Sequence, residues 1–240
     1  MCNEVGACTA VRSAEYITSL GGITFRRLGE QLLEWLRKNN VHVRTSLDLG
    51  CGTGVLCELL HENGICASGM DLSEGMIAIA RENKPEIHYE VANMITYRPE
   101  EKFDLVTCTG DALNHIIDLN DIDRIFANVY GYLNEGGYFI FDILNENEVT
   151  PGTVIDLDFS ETIKAQFAIT QDQAGMINLR TTVLENGELK VEENISEIVH
   201  DRNAVCDLLK KNGFEVLQCA DQLLRDADSH GTTWFVIARK

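Results

Sequence analysis

The chain has 240 residues, 45% hydrophobic and 24% charged, enough for one large domain or one domain carrying a substantial insertion. Acidic side chains outnumber basic ones 38 to 20, for a formal charge of -18. A broad phosphate-binding face built from Lys and Arg is therefore disfavoured, and with it nucleic acid as a partner.

Residues 1–11 show no clear period. From Ser13 the pattern becomes helical in two pieces, and the second, 25–38, sets Leu28, Leu32, Leu33, Trp35 and Leu36 close to one side. Asn39-Asn40 ends it. Residues 45–54, T-S-L-D-L-G-C-G-T-G, then read as a buried parallel strand running into a tight turn and a helix over 55–63. The glycines at 50, 52 and 54 keep side chains out of the space between backbone and ligand, and helix-terminal N–H groups beyond them can bind a polar or anionic group. The dinucleotide fingerprint G-x-G-x-x-G fails here, because Val55 stands at its third glycine. No Gly-Lys-Ser/Thr follows, so this is not a Walker loop.

A second strand over 65–70 ends in Asp71, whose carboxylate can accept hydrogen bonds from ribose hydroxyls. Ser73 fits the cap of the next helix, with Met76, Ile77 and Ile79 facing inward. Strands over 87–91 and 103–109 follow. The second of these finishes at Gly110-Asp111, so the loop 110–115 is expected at the ligand edge of the sheet. A helix over 121–133, a stop at 134–137 and a strand over 138–143 complete this half, with Asp142 late in the strand.

Between 150 and 199 the alternation of strand and helix is lost. Extended segments at 154–159, 165–170, 176–185 and 189–200 replace it, and Asn186-Gly187 is a strong hairpin signal between the last two. A helix over 201–211, broken by Gly213, leads to strands over 213–217 and 232–238, which should pair antiparallel for want of a crossover helix. Of the eight cysteines, Cys51, Cys57, Cys66 and Cys108 fall in or beside these core elements, and no C-x-x-C pair occurs. Buried, reduced thiols and a cytoplasmic location are the expectation. No long apolar run follows a cationic start, no stretch approaches a membrane span, and no metal cluster is evident.

The D-x-G-x-G-x-G run, with Asp71 after the second strand and the helix, glycine stop and aromatic strand over 121–143, resembles the class I S-adenosylmethionine-dependent methyltransferases. The resemblance covers 45–143 most fully and 201–240 in part. It implies an α/β fold: a Rossmann-like seven-stranded sheet with a reversed terminal hairpin, here carrying a small antiparallel β insertion. Residues 1–40 would be a helical cap segment, 41–149 and 200–240 the core, and 150–199 a substrate lid or subunit contact, through which a homodimer could form.

The implied cofactor is S-adenosyl-L-methionine, held by Asp48, Gly50, Cys51, Gly52, Gly54, Asp71, Leu72, Met76, Asn93, Met94 and Gly110. Relatives commonly carry Asp where Asn93 stands, and an amide oxygen can still accept the adenine amino group. The D-x-L-N-H string at 111–115 resembles a subgroup acting on small molecules. The catalytic candidates are therefore His115, Asp111 and Tyr16, with Arg12, Asn114, Asp142 and His230 behind them. No residue need act as nucleophile and no metal is required, since the cofactor brings its own leaving group. A small-molecule methyltransferase is the leading reading. A NAD-dependent dehydrogenase, a protein or nucleic-acid methyltransferase and a non-catalytic cofactor-binding protein are the others.

Overall fold

A computed structural model describes residues 26–145, 150–158, 160–172, 176–220 and 233–240. The first helix, α1, covers 26–38 among these. It is followed by β1 (Thr45–Leu49), α2 (Val55–Glu62), β2 (Cys66–Asp71), α3 (Glu74–Asn83), β3 (His88–Val91) and β4 (Phe103–Cys108). A 3-10 helix (Ala112–His115), α4 (Leu119–Tyr132) and β5 (Leu133–Leu144) come next. The insertion contributes β6 (Val154–Asp158), β7 (Ile163–Gln171), β8 (Met176–Glu185) and β9 (Glu188–Ile198). The chain closes with α5 (Arg202–Lys211), β10 (Glu215–Ala220) and β11 (Thr233–Arg239).

Seven strands form one sheet in the order β10-β11-β5-β4-β1-β2-β3. From β5 to β3 the neighbours are parallel, while β11 runs antiparallel to both β5 and β10. The expected reversed hairpin is present. So is the expected adjacency of β1 and β4, where the strand order reverses and a crevice opens beyond the carboxyl ends. The four insertion strands form a separate antiparallel meander, β6-β7-β8-β9. Its β8–β9 turn places Asn186 at φ 53° and Gly187 at φ 79°, the pair of left-handed residues that a two-residue hairpin requires.

The parallel strands are buried on both faces. On one side Leu47, Leu49, Val106, Phe139 and Phe141 pack with Ile122, Ile125 and Phe126 of α4 and with Val205 and Leu209 of α5. On the other, Leu105, Ile140 and Ile237 meet Leu32, Trp35 and Leu36 of α1 and Leu56 and Leu60 of α2. Each such side chain contributes about 1.5–3 kcal/mol by leaving water. The insertion has a far smaller core, Ala165, Val183 and Val191 flanked by Ile163 and Phe167. Its position therefore depends on the bonds that tie it to the main sheet.

Several sequence expectations shift. Helix α4 starts at Leu119 rather than 121, because the Asp118 carboxylate accepts the Asn120 N–H at 2.8 Å and caps it there. The stop at 134–137 belongs to β5, since the ladder to β4 already begins at the pair Phe103–Leu133. In α3 the inward residues are Ile77 and Ala80, whereas Met76 faces the cleft. Cys51, Cys57 and Cys108 are buried, but Cys66 is exposed at the first position of β2. Among the described residues no helix is long and apolar enough to cross a membrane.

Candidate active site

The cleft is built on the turn that ends β1. The N–H groups of Gly50 and Cys51 both donate to the Met70 carbonyl, at 2.8 and 3.0 Å, lashing the turn to β2. Gly54 caps α2 at φ 84°, and a Cβ there would lie 2.5 Å from the Tyr89 hydroxyl oxygen. Gly52, at φ 54°, is different: a Cβ there would meet nothing within 4 Å. One glycine is demanded by packing. The other keeps open the space above the backbone.

Asp71, at the end of β2, faces that space. Its Oδ2 accepts the Gly52 N–H at 2.9 Å and its Oδ1 accepts the Ser73 N–H at 2.8 Å. Ser73 in turn caps α3 by accepting the Met76 N–H at 3.3 Å. Two contacts thus fix the carboxylate and leave its remaining lone pairs toward the cleft. Beyond β3, Asn93 Oδ1 accepts the Ile95 N–H at 2.9 Å and folds a local turn that presents Met94. The cleft holds about 410 Å³ and is lined by Asp48, Gly50, Cys51, Gly52, Asp71, Leu72, Met76, Asn93, Met94, Gly110 and His115. These residues come from four separate stretches of chain.

Below the turn, Asp48 is only 3% exposed and accepts a 2.6 Å hydrogen bond from the Thr107 hydroxyl on β4. Burial pushes its carboxyl up to about 7, the Thr107 bond opposing and the nearby Asp71 and Asp142 charges adding to the rise.

The loop after β4 reverses through two left-handed residues, Gly110 at φ 76° and Asp111 at φ 60°. Asp tolerates this conformation better than most side chains. The reversal lets the Asp111 N–H donate to Asp142 Oδ1 at 3.0 Å, and the Asp111 side chain does not line the cofactor cleft but lies within electrostatic reach of Glu197 on β9. Burial, and then the Glu197 charge, pushes Asp111 up to about 7. Asp142 is also pushed up to about 7, by burial and then by Asp111. Burial raises Glu197 as well. His115 lines the cleft with its Nε2 3.8 Å from Glu197 Oε1.

Asn114 has a structural task. It is fully buried, donating from Nδ2 to the Ile198 carbonyl at 2.6 Å and accepting the Leu144 N–H at 3.0 Å through Oδ1. It clips the end of β9 to the end of β5. His200 adds a second clip, with Nε2 2.9 Å from the Ile116 carbonyl oxygen. Together they hold Glu197 beside the loop.

Gly54 supports the cleft from below without lining it, and Asp111 and Asp142 lie behind its edge. Tyr16, Arg12 and His230 fall outside the described residues. Val55, Leu56, Ala92, Thr109 and Ile116 also line the cleft and were not singled out from sequence. Each directly adjoins or shortly follows a motif that was, so counting outward from the strand ends could have found them. Nothing local pointed to Glu197. Among the described residues no group of three His, Cys, Asp or Glu is arranged to hold a metal.

The residues fit a nucleoside-bearing cofactor. Gly52 leaves a cradle that any Cβ would partly fill, and a carboxylate stands beside it with acceptor capacity to spare. Residues 47–137 match the model of the methyltransferase domain family. The chain is 32% identical over 123 residues to a ubiquinone biosynthesis O-methyltransferase of Bordetella avium, covering 48% of this chain and 49% of that protein. The chain therefore spans about half the length of that relative. It is 26% identical over 197 residues to YqeM of Bacillus subtilis, a protein named as a methyltransferase, covering 78% and 80% of the two chains. In fold it is similar to CalS10, an amino pentose methyltransferase from Micromonospora echinaspora solved with S-adenosylmethionine bound. The TM-score there is 0.80 at 18% identity, over 93% of this chain and 95% of that one. The matched segment carries most of β1, the glycine turn, Asp71 and the loop after β4, and together with the relatives' names it supports an S-adenosylmethionine-dependent methyltransferase.

Proposed function

We propose that this protein transfers a methyl group from S-adenosylmethionine to a nitrogen or oxygen atom of a small-molecule acceptor. The observation that carries the reading is the open cradle over Gly52 beside the fixed Asp71 carboxylate. In it Asp71 receives the ribose hydroxyls, Asn93 and Met94 take the adenine, and the turn from Gly50 to Gly54 passes beneath the methionine part. Asp48, Cys51, Leu72 and Met76 complete the walls. When bound, the cofactor supplies an electrophilic methyl and its own leaving group. The chain's work is to hold the acceptor in line beyond Gly110 and His115 and to keep water away.

A small acceptor is supported by relatives named for ubiquinone biosynthesis and for an amino pentose. The charge of -18 counts against nucleic acid. The insertion, anchored through Asn114 and His200 at the acceptor end, is suited to act as a lid or as the contact of a homodimer. Calorimetric titration with S-adenosylmethionine, S-adenosylhomocysteine and NAD in parallel tests the reading. Binding of the first two without NAD is the expected result, and binding of NAD alone would reject it.

A further inference from the structure

Resting on that reading, we propose that Asp111 and Glu197 form an acceptor subsite for a protonated amine, so that the atom methylated is nitrogen. Two observations point there independently. The first is Asp111 Oδ1, which is shut off from solvent and has no hydrogen-bond donor. An unpaired buried carboxylate oxygen is costly, and a donor brought by a bound molecule would relieve it. The second is the position of Glu197. It is only 9% exposed, and its insertion strand is clipped against this loop by Asn114 and His200.

The local acids outnumber their basic partners. Asp142, the third acid here, is satisfied by the backbone, since its Oδ1 accepts the Asp111 N–H. Asp111 and Glu197 have no such relief, and both carboxyls are held above the usual carboxylate range. Among the described residues the one basic group within ion-pair distance of these three acids is His115, at 3.8 Å from Glu197. His115 lines the cofactor cleft and Gly110, which also lines it, is bonded directly to Asp111. The pair of acids therefore borders the end of the cleft where an acceptor must approach.

An ammonium group matches this site better than a hydroxyl does. It brings a positive charge and up to three N–H donors to two carboxylates, whereas a hydroxyl brings one donor and no charge. A metal ion is the poorer fit, because no group of three ligands is arranged for one among the described residues.

The same acids resolve the protonation problem of nitrogen. An ammonium has no lone pair to donate. Asp111, whose carboxyl is poised near 7, takes one proton from it and leaves the amine neutral. The amine lone pair then forms the N–C bond as the C–S bond breaks, and that bond's electrons remain on the departing sulfur. The product nitrogen carries the positive charge, and Asp111 later returns its proton to water.

Binding of paired probes tests this: cyclohexylamine against cyclohexanol, and a methyl 4-amino-4-deoxyglucoside against methyl glucoside. Each is titrated into the full chain saturated with S-adenosylhomocysteine. The amines should bind about tenfold or more tightly than their hydroxyl twins, and Asp111→Asn and Glu197→Gln should each remove about that preference. Both variants should keep their S-adenosylhomocysteine affinity, which verifies folding. Glu161→Gln, an exposed acid of the same insertion, should leave the preference intact. Labelled methyl transfer should then favour the amines. Equal binding of amines and alcohols, or a preference that survives both variants, would overturn the proposal while leaving the methyltransferase reading standing. Failure of the wild type to bind S-adenosylhomocysteine would overturn both.

Discussion

Asp71 Oδ2 accepts the Gly52 N–H at 2.9 Å, so the acid at the end of β2 and the middle glycine of the turn after β1 form one unit. The carboxylate orders the cradle and keeps acceptor capacity toward the cleft. Asp71→Ala should weaken S-adenosylmethionine binding roughly 10–100-fold, the range set by about 1.5–3 kcal/mol for hydrogen bonds to a charged group. Calorimetric titration checks this. Unchanged affinity would remove Asp71 from the cofactor site.

Gly52 and Gly54 should separate when each is changed to Ala. Gly54→Ala drives a Cβ to 2.5 Å from the Tyr89 hydroxyl at a left-handed φ, and Tyr89 is itself buried. A stability loss of about 2–4 kcal/mol is expected in urea titration. Gly52→Ala clashes with nothing and should cost only about 1 kcal/mol. Its methyl group nevertheless enters the cradle, so cofactor affinity should fall more than its stability does. Comparable affinity losses per unit of stability lost would mean the cradle is not where the ligand lies.

Asn114→Ala should loosen the insertion. It strands the Ile198 carbonyl and the Leu144 N–H in a buried seam, at about 1–3 kcal/mol each. Hydrogen exchange at Leu144 should accelerate together with exchange along β9, while β1 and β4 keep their protection. Uniform acceleration throughout would mean that the insertion opens only with the whole fold.

Raised carboxyl groups make a directional pH prediction. Asp48, Asp111 and Asp142 each reach about 7 when folded, against an ordinary value of 3.8. Between those values the folded protein holds more protons than the unfolded chain, so stability from these groups declines as pH rises from about 4 to about 7. Above that window their contribution is flat. Asp104 and Asp123 are shifted the other way, and their contribution is lost only at more acid pH. Scanning calorimetry at high salt, which screens the general negative charge, should show a higher Tm at pH 5 than at pH 7.5. A Tm rising across that interval would contradict the three buried acids. Thr107→Val removes the one hydrogen bond that opposes the Asp48 rise, and should steepen the decline.

Much of the fold was legible from residues alone. Strand and helix differ in the period of their apolar positions, so β1, β2, β4, β8 and α5 could be located by reading along the chain. Asn186-Gly187 declared its hairpin because few other residues accept two successive left-handed conformations. Of the boundaries that moved, β5 gained Leu133 through its ladder with β4, a distant segment, whereas α4 advanced through its own local cap at Asp118.

The proposed cofactor half of the site was determined by the sequence itself. The glycine turn and Asp71 terminate adjacent parallel strands, and strand ends in an α/β sheet gather at one edge. The proposed acceptor half was decided by tertiary structure. Whether Asp111 faces the cofactor or the insertion depends on a left-handed backbone and on Asp142, 31 residues away. Asn114 reads as a further catalytic candidate until its partner at Ile198, 84 residues on, shows it to be a clip. Glu197 has no local signature, because an acid on a mostly polar strand is ordinary until burial withholds water from it. Local periodicity carries information over a few residues, whereas charge and hydrogen bonding in a buried seam depend on which distant segments meet there.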